Sequence, residues 1–214
     1  MAQPSALEKI VDNIRQGFEA KNAVRDQALS RSRTLIRHCS TAIRAVHRDE
    51  WPVADHELTQ AKALVEALQA DLEPHPDLYY AGYTQDGLKE YAEANLVRAV
   101  VADQPMPTPE SLRVEAAAYL AGLAEAAGEL RRRVLDILRK DQYQEAERLL
   151  DQMDEIYGLL VTIDYPDAIT QGLRRLTDMV RGVTERTRGD LTTSWQQHRL
   201  RGALKRAEDR DAGG

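Results

Sequence analysis

Tyr119-Leu120-Ala121-Gly122-Leu123-Ala124-Glu125-Ala126-Ala127-Gly128-Glu129-Leu130 is the stretch on which the fold of this chain turns. It reads as helix, and Glu125 and Glu129, four residues apart, project from one face of it. The same arrangement occurs in Leu88-Lys89-Glu90-Tyr91-Ala92-Glu93-Ala94, where Glu90 and Glu93 are three apart. Four carboxylates on two helices form a donor set suited to hard divalent cations such as Mg²⁺ or Mn²⁺. An exposed Glu pair is also the ordinary solvated face of a helix, since Glu is a strong helix former. The small residues Ala121, Gly122, Ala124, Ala127 and Gly128 either leave room beside this helix or let another pack closely on it.

The flanking sequence is helical throughout. Leu29, Ile36 and Ile43 recur every seven residues in a first helix over Ser5 to Asp49, which Trp51-Pro52 breaks. A second helix follows over Val53 to Leu72. After Glu73-Pro74-His75-Pro76 comes a third over Asp77 to Ala102, with a bend expected at Gly82 or Gly87. Thr108 reads as an N-cap with Pro109 at the first position of a fourth helix reaching Lys140. Asp141 with Gln144 resembles a capping box for a fifth, whose stripe is Ala146, Leu149, Leu150, Met153, Ile156, Tyr157 and Leu160. Asp164-Tyr165-Pro166 opens a last helix that passes Arg199. Alternating strand-like runs are hard to find, and packing falls to Leu, Ile, Val and Ala because only 5% of residues are aromatic. The expectation is one all-α domain over residues 1–214, of six or seven helices, with 1–4 and 208–214 frayed. The stripes of the long first and last helices exceed what one small bundle needs, so both are expected to pack against partner subunits.

Several functional classes are excluded. Cys39 is the single cysteine, which rules out internal disulfides and argues against a cysteine-based zinc site. No apolar run approaches a membrane span and the N-terminus lacks a signal-peptide core, so a soluble, cytoplasmic protein is expected. There is no glycine-rich phosphate loop, no nucleophile elbow, and no Glu followed three residues later by His. His38, His47 and His56 are nine apart, half a turn out of phase, and read as ordinary polar or interface residues.

The net charge of −6 does not advertise nucleic-acid binding, but its distribution is uneven. Arg37, Arg44 and Arg48 line one face of the first helix, while the second helix is acidic. Two readings stay open for these arginines: a phosphate-contacting surface, or salt bridging to the second helix. Tyr79, Tyr80 and Tyr83 are likewise either base-stacking residues or core and interface residues.

Taken in order, these segments resemble the translin and Trax family over nearly the whole chain. Leu88 to Ala94 is similar to its Glu-Tyr-x-Glu-Ala element. Ala118 to Leu130 is similar to its Tyr-Leu-x-Gly-x-Ala-Asp-x-x-Gly-Glu-Leu element. Ile43-Arg44-Ala45-Val46-His47-Arg48 looks like the end of the family's first helix, and the run from Tyr157 to Arg175 fits its C-terminal half. The resemblance implies an all-α fold of about seven helices and a closed octamer that encloses single-stranded RNA or DNA. In that family translin binds nucleic acid and Trax is a metal-dependent endoribonuclease. The retained acidic cluster makes this chain more similar to Trax. It implies Glu90, Glu93, Glu125 and Glu129 as catalytic and metal-binding residues, with Mg²⁺ or Mn²⁺ as cofactor; on the reading of their shared face, Arg37, Arg44 and Arg48 are expected to contact the nucleic acid. Glu125 stands where the family usually has Asp and reaches one methylene further, which alters the geometry of a bound metal. The compact length resembles a stand-alone prokaryotic, archaeal member that forms a homo-oligomer.

Overall fold

The computed structural model describes residues 5–211, and among them there are nine helices and no strand. They are α1 (Ala6–His47), α2 (Trp51–Leu72), α3 (Pro76–Tyr79), α4 (Gly82–Val101), α5 (Pro109–Leu112), α6 (Ala116–Leu138), α7 (Tyr143–Leu160), α8 (Asp167–Thr170) and α9 (Leu173–Asp211). No helix among the described residues is long and apolar enough to cross a membrane. The expected all-α fold is the observed one.

The helix ends show why some boundaries differ from the sequence reading. α1, α4 and α6 each close on an aspartate with positive φ: Asp49 (59°), Asp103 (52°) and Asp141 (58°). At each, the next amide donates to the carbonyl five residues back: Glu50 to Ala45, Gln104 to Ala99, Gln142 to Ile137. This is the Schellman arrangement, and Asp tolerates the left-handed conformation it needs. Asp141 therefore ends α6 rather than capping α7, whose N-cap is Gln142 with no side-chain cap bond. The fourth predicted helix is two helices for the same reason. Thr108 does cap α5, its Oγ1 accepting from the Ser111 amide, but Arg113 turns left-handed at φ 58° and stops the helix after Leu112. The predicted third helix is likewise broken, at Tyr80-Ala81. Thr84 Oγ1 and Gln85 Nε2 donate to the Leu78 and Tyr79 carbonyls, both at 2.9 Å, and so close α3 from within α4. α1 begins with a complete capping box between Ser5 and Glu8. α9 stays helical through Glu208 to Asp211, which were expected to fray, while residues 1–4 and 212–214 lie outside the described residues.

α6 is the axis of the domain. It packs against α4 on one side and α7 and α9 on the other, and α1 pairs with α2 and α4. Leu96, Leu130, Val134, Ile137, Leu149, Met153 and Val180, all fully buried, fill the core between α4, α6, α7 and α9. Leu35, Cys39, Val65, Leu88 and Ala92 fill a second cluster between α1, α2 and α4. Glu90 and Glu93 on α4 and Glu125 on α6 lie on the two helices that separate these clusters.

Candidate metal centre

The site exists because α4 and α6 touch along their backbones. A Cβ on Gly122 would lie 2.7 Å from the Lys89 carbonyl oxygen, 2.9 Å from the Glu93 nitrogen and 3.0 Å from Ala92 Cβ. Only glycine fits, so Gly122 sets the register of α6 against the Lys89–Glu93 turn. Glu125, almost one turn further along α6, then emerges beside Glu90 and Glu93. Gly128 has open space around its Cβ position and takes no part in the contact.

Glu90, Glu93 and Glu125 each offer a carboxylate oxygen, and the three oxygens lie within 4.8 Å of one another. Glu93 is the buried member at 7% exposure. Burial, reinforced by the charges of Glu90, Glu125 and Glu129, pushes its pKa up to about 8, against the pull of Lys89. Lys89 Nζ sits on the cluster, 2.7 Å from Glu125 Oε2 and 3.3 Å from Glu90 Oε1. Burial disfavours its charge, but the contact with Glu125, then Glu90, holds its pKa above the ordinary lysine value.

Glu129 does not join the three. His47 Nε2 lies 2.5 Å from its Oε2, with Arg132 at 3.8 Å. The hydrogen bond from His47 outweighs burial and holds the Glu129 carboxyl below its ordinary pKa, so Nε2–H is the donor and Glu129 the ionised acceptor. His47 is itself fixed to α6, because its main-chain carbonyl accepts from Arg133 Nη1 at 3.1 Å while Arg133 Nη2 donates to Asp49 at 2.6 Å. Replacing His47 with alanine is expected to lower stability by about 1–3 kcal/mol, the cost of stripping a donor from a half-buried carboxylate. The urea midpoint measures it, and His47→Gln should recover part of the loss.

His47 corrects the reading of the three histidines as ordinary polar residues. His38 also has a carboxylate partner, Glu57 at 2.6 Å, and His56 is exposed. Lys89 was passed over too, although it is the lone cation beside the first acidic pair. No local pattern marks His47, because its partner is 82 residues away. Arg37, Arg44 and Arg48 are exposed, and among the described residues only Arg48 approaches a carboxylate, Glu50 at 4.0 Å. The salt bridges from α1 to α2 are made instead by Arg31 with Asp71 and His38 with Glu57. Tyr79 packs edge-on against Tyr80 with ring centres 5.0 Å apart, and Tyr80 is 60% exposed.

An all-oxygen donor set, with one carboxylate held protonated towards neutral pH by burial and then by its neighbours' charges, fits a hard divalent cation, whose charge offsets both. The fold and site together define an all-helical protein with a carboxylate cluster set between two closely packed helices. No family model matches the chain. It is 32% identical over 190 residues to an uncharacterized protein of Methanocaldococcus jannaschii, spanning 88% of this chain and 84% of that one. Its fold superposes on the C3PO of Archaeoglobus at 31% identity and TM-score 0.81, covering 89% of this chain and 98% of that one. A second Archaeoglobus structure, a complex with duplex RNA, matches at 30% identity and TM-score 0.80 over the same shares. The C3PO of Nematostella, at 21% identity and TM-score 0.79 over 91% of this chain and all of that one, shares the fold. The chain belongs to the translin/C3PO family.

Proposed function

We propose that the protein is an RNA-binding, metal-dependent endoribonuclease of the Trax type that works as a cytoplasmic homo-oligomer, an octamer by family resemblance. The observation that carries the reading is the convergence of Glu90, Glu93 and Glu125 within 4.8 Å. Mg²⁺ or Mn²⁺ held by these three residues would supply Lewis-acid polarisation of an RNA phosphodiester. Glu93 binds in its ionised form, releasing the proton it holds below about pH 8. Lys89 neutralises Glu125 and Glu90, and its ammonium would offer a positive charge to an RNA phosphate at the cluster. Glu129, kept ionised by His47 and outside the cluster, would take the proton of the attacking oxygen. Arg37, Arg44 and Arg48, exposed on one face of α1, contact the RNA backbone.

Single-stranded RNA is the proposed substrate, and single-stranded DNA the proposed second ligand. Duplex RNA belongs in the same assay, because the Archaeoglobus relative is known in complex with it. A non-catalytic, translin-like binding protein is the second reading. It is favoured by Lys89, whose ammonium already pairs with two of the three carboxylates and weakens their pull on a cation.

The test is cleavage of labelled single-stranded and duplex RNA with Mg²⁺ or Mn²⁺, with chelator, and with Glu125→Ala. Cleavage that needs the metal and vanishes in the variant is the expected result. Binding that survives chelation, with no cleavage by the wild type, would move the protein to the translin-like class.

A further inference from the structure

The first half of α1 touches almost nothing. Every residue from Ala6 to Ala23 is exposed, and the first buried residue of the helix is Ala28. At 1.5 Å per residue this arm extends about 27 Å, and among the described residues its one polar tie to the body is Lys21 Nζ, 2.7 Å from Asp77. It nevertheless carries the largest apolar side chains on its surface: Leu7 at 69% exposure, Ile10 at 56%, Val11 at 44%, Ile14 at 51% and Phe18 at 70%. A solitary helix of this length is marginal in water, so the stripe calls for a partner.

Leu7, Val11, Ile14 and Phe18 follow the four-three-four spacing of a coiled-coil seam. That spacing is palindromic about a point between Asp12 and Asn13. We propose that the α1 arms of two copies pair antiparallel about a two-fold axis at that point. Leu7 then meets the partner's Phe18, and Val11 meets the partner's Ile14. On one flank Glu8, which caps α1 through the Ser5 amide, faces the partner's Arg15, which bonds Asp12 of its own helix at 2.7 Å, and the symmetry brings these charges together twice. On the other flank Ile10 lies over the partner's Gly17, and Gly17 has open space at its Cβ position. A parallel pairing forms neither match. The arm's charges balance, Glu8, Asp12 and Glu19 against Lys9, Arg15 and Lys21, which suits a second copy and not a polyanion. Two such stripes bury about 1,000 Å², the lower bound of a specific interface.

The pairing does not rest on the nuclease reading. It is tested by mild oxidation of the full chain carrying Val11→Cys and Ile14→Cys. Cys39 is fully buried and does not contribute. A covalent dimer from the double variant, with neither single variant cross-linking, is the expected result. No dimer from the double variant, or equal cross-linking by the singles, overturns the proposal; the first leaves the stripe to a partner of different sequence, and the second means parallel pairing. Adding Arg15→Glu should cut the dimer yield severalfold, and further adding Glu8→Arg should restore it. A yield that Arg15→Glu leaves unchanged, or that Glu8→Arg fails to restore, also overturns the pairing.

Discussion

Glu93→Gln is expected to abolish metal-dependent RNA cleavage and, at pH 8, to raise the melting temperature. The activity should fall at least about 100-fold, beyond what loss of an outer partner of a metal site costs. The stability effect follows from the proton. In the unfolded chain Glu93 ionises at its ordinary value of 4.5, whereas in the fold its pKa is about 8. Between those values the unfolded state binds fewer protons than the folded state, so this residue's contribution to stability falls as pH rises. Above pH 8 the whole penalty is present, of the order of a few kcal/mol at about 1.4 kcal/mol per unit. Glutamine cannot ionise and escapes it. Thermal unfolding between pH 5 and pH 9 should show the variant gaining on the wild type by several degrees as pH rises. Mg²⁺ or Mn²⁺ should raise the wild type's melting temperature at pH 8 and do little for the variant. Parallel pH curves for the two proteins would remove the reading of Glu93 as a buried, repelled carboxylate.

Gly122→Ala carries the second large effect. The new Cβ meets backbone atoms of α4 at 2.7 and 2.9 Å, and backbone cannot swing aside as a side chain can. α6 has to move off α4, at a cost of about 1–3 kcal/mol for an overpacked contact. The movement falls between Glu93 and Glu125, so it spreads the carboxylates. A displacement near 1 Å costs on the order of 100-fold in rate. The helical circular dichroism should survive while cleavage is lost. Gly128→Ala is the matched control: nothing lies within 4 Å of its Cβ, and removing a helical glycine should stabilise by about 0.5–1 kcal/mol. A Gly122→Ala protein as stable and active as the wild type would show that the helix contact does not set the site.

Much of this was legible beforehand. The α7 stripe placed Leu149, Met153 and Ile156 in the core, and all three are buried there. Thr108 marked a helix start because a capping side chain bonds an amide two or three residues away, which is local chemistry. The acidic pairs at 90/93 and 125/129 were visible for the same reason, since helical spacing fixes which residues share a face. The ends of α1, α4 and α6 fell within two residues of where the sequence put them, but the stop at Arg113 was hidden, because any residue that tolerates positive φ can close a helix and this one is not glycine.

The sequence by itself determined the all-helical class and the pairing of carboxylates within each helix, both of which depend on contacts a few residues long. Only the tertiary structure decided that three carboxylates meet while the fourth is taken by His47. That choice depends on how closely α6 approaches α4 through Gly122, and on where the end of α1, 82 residues from Glu129, is pinned by Arg133. Those are matters of backbone contact and long-range hydrogen bonding, which periodicity does not encode.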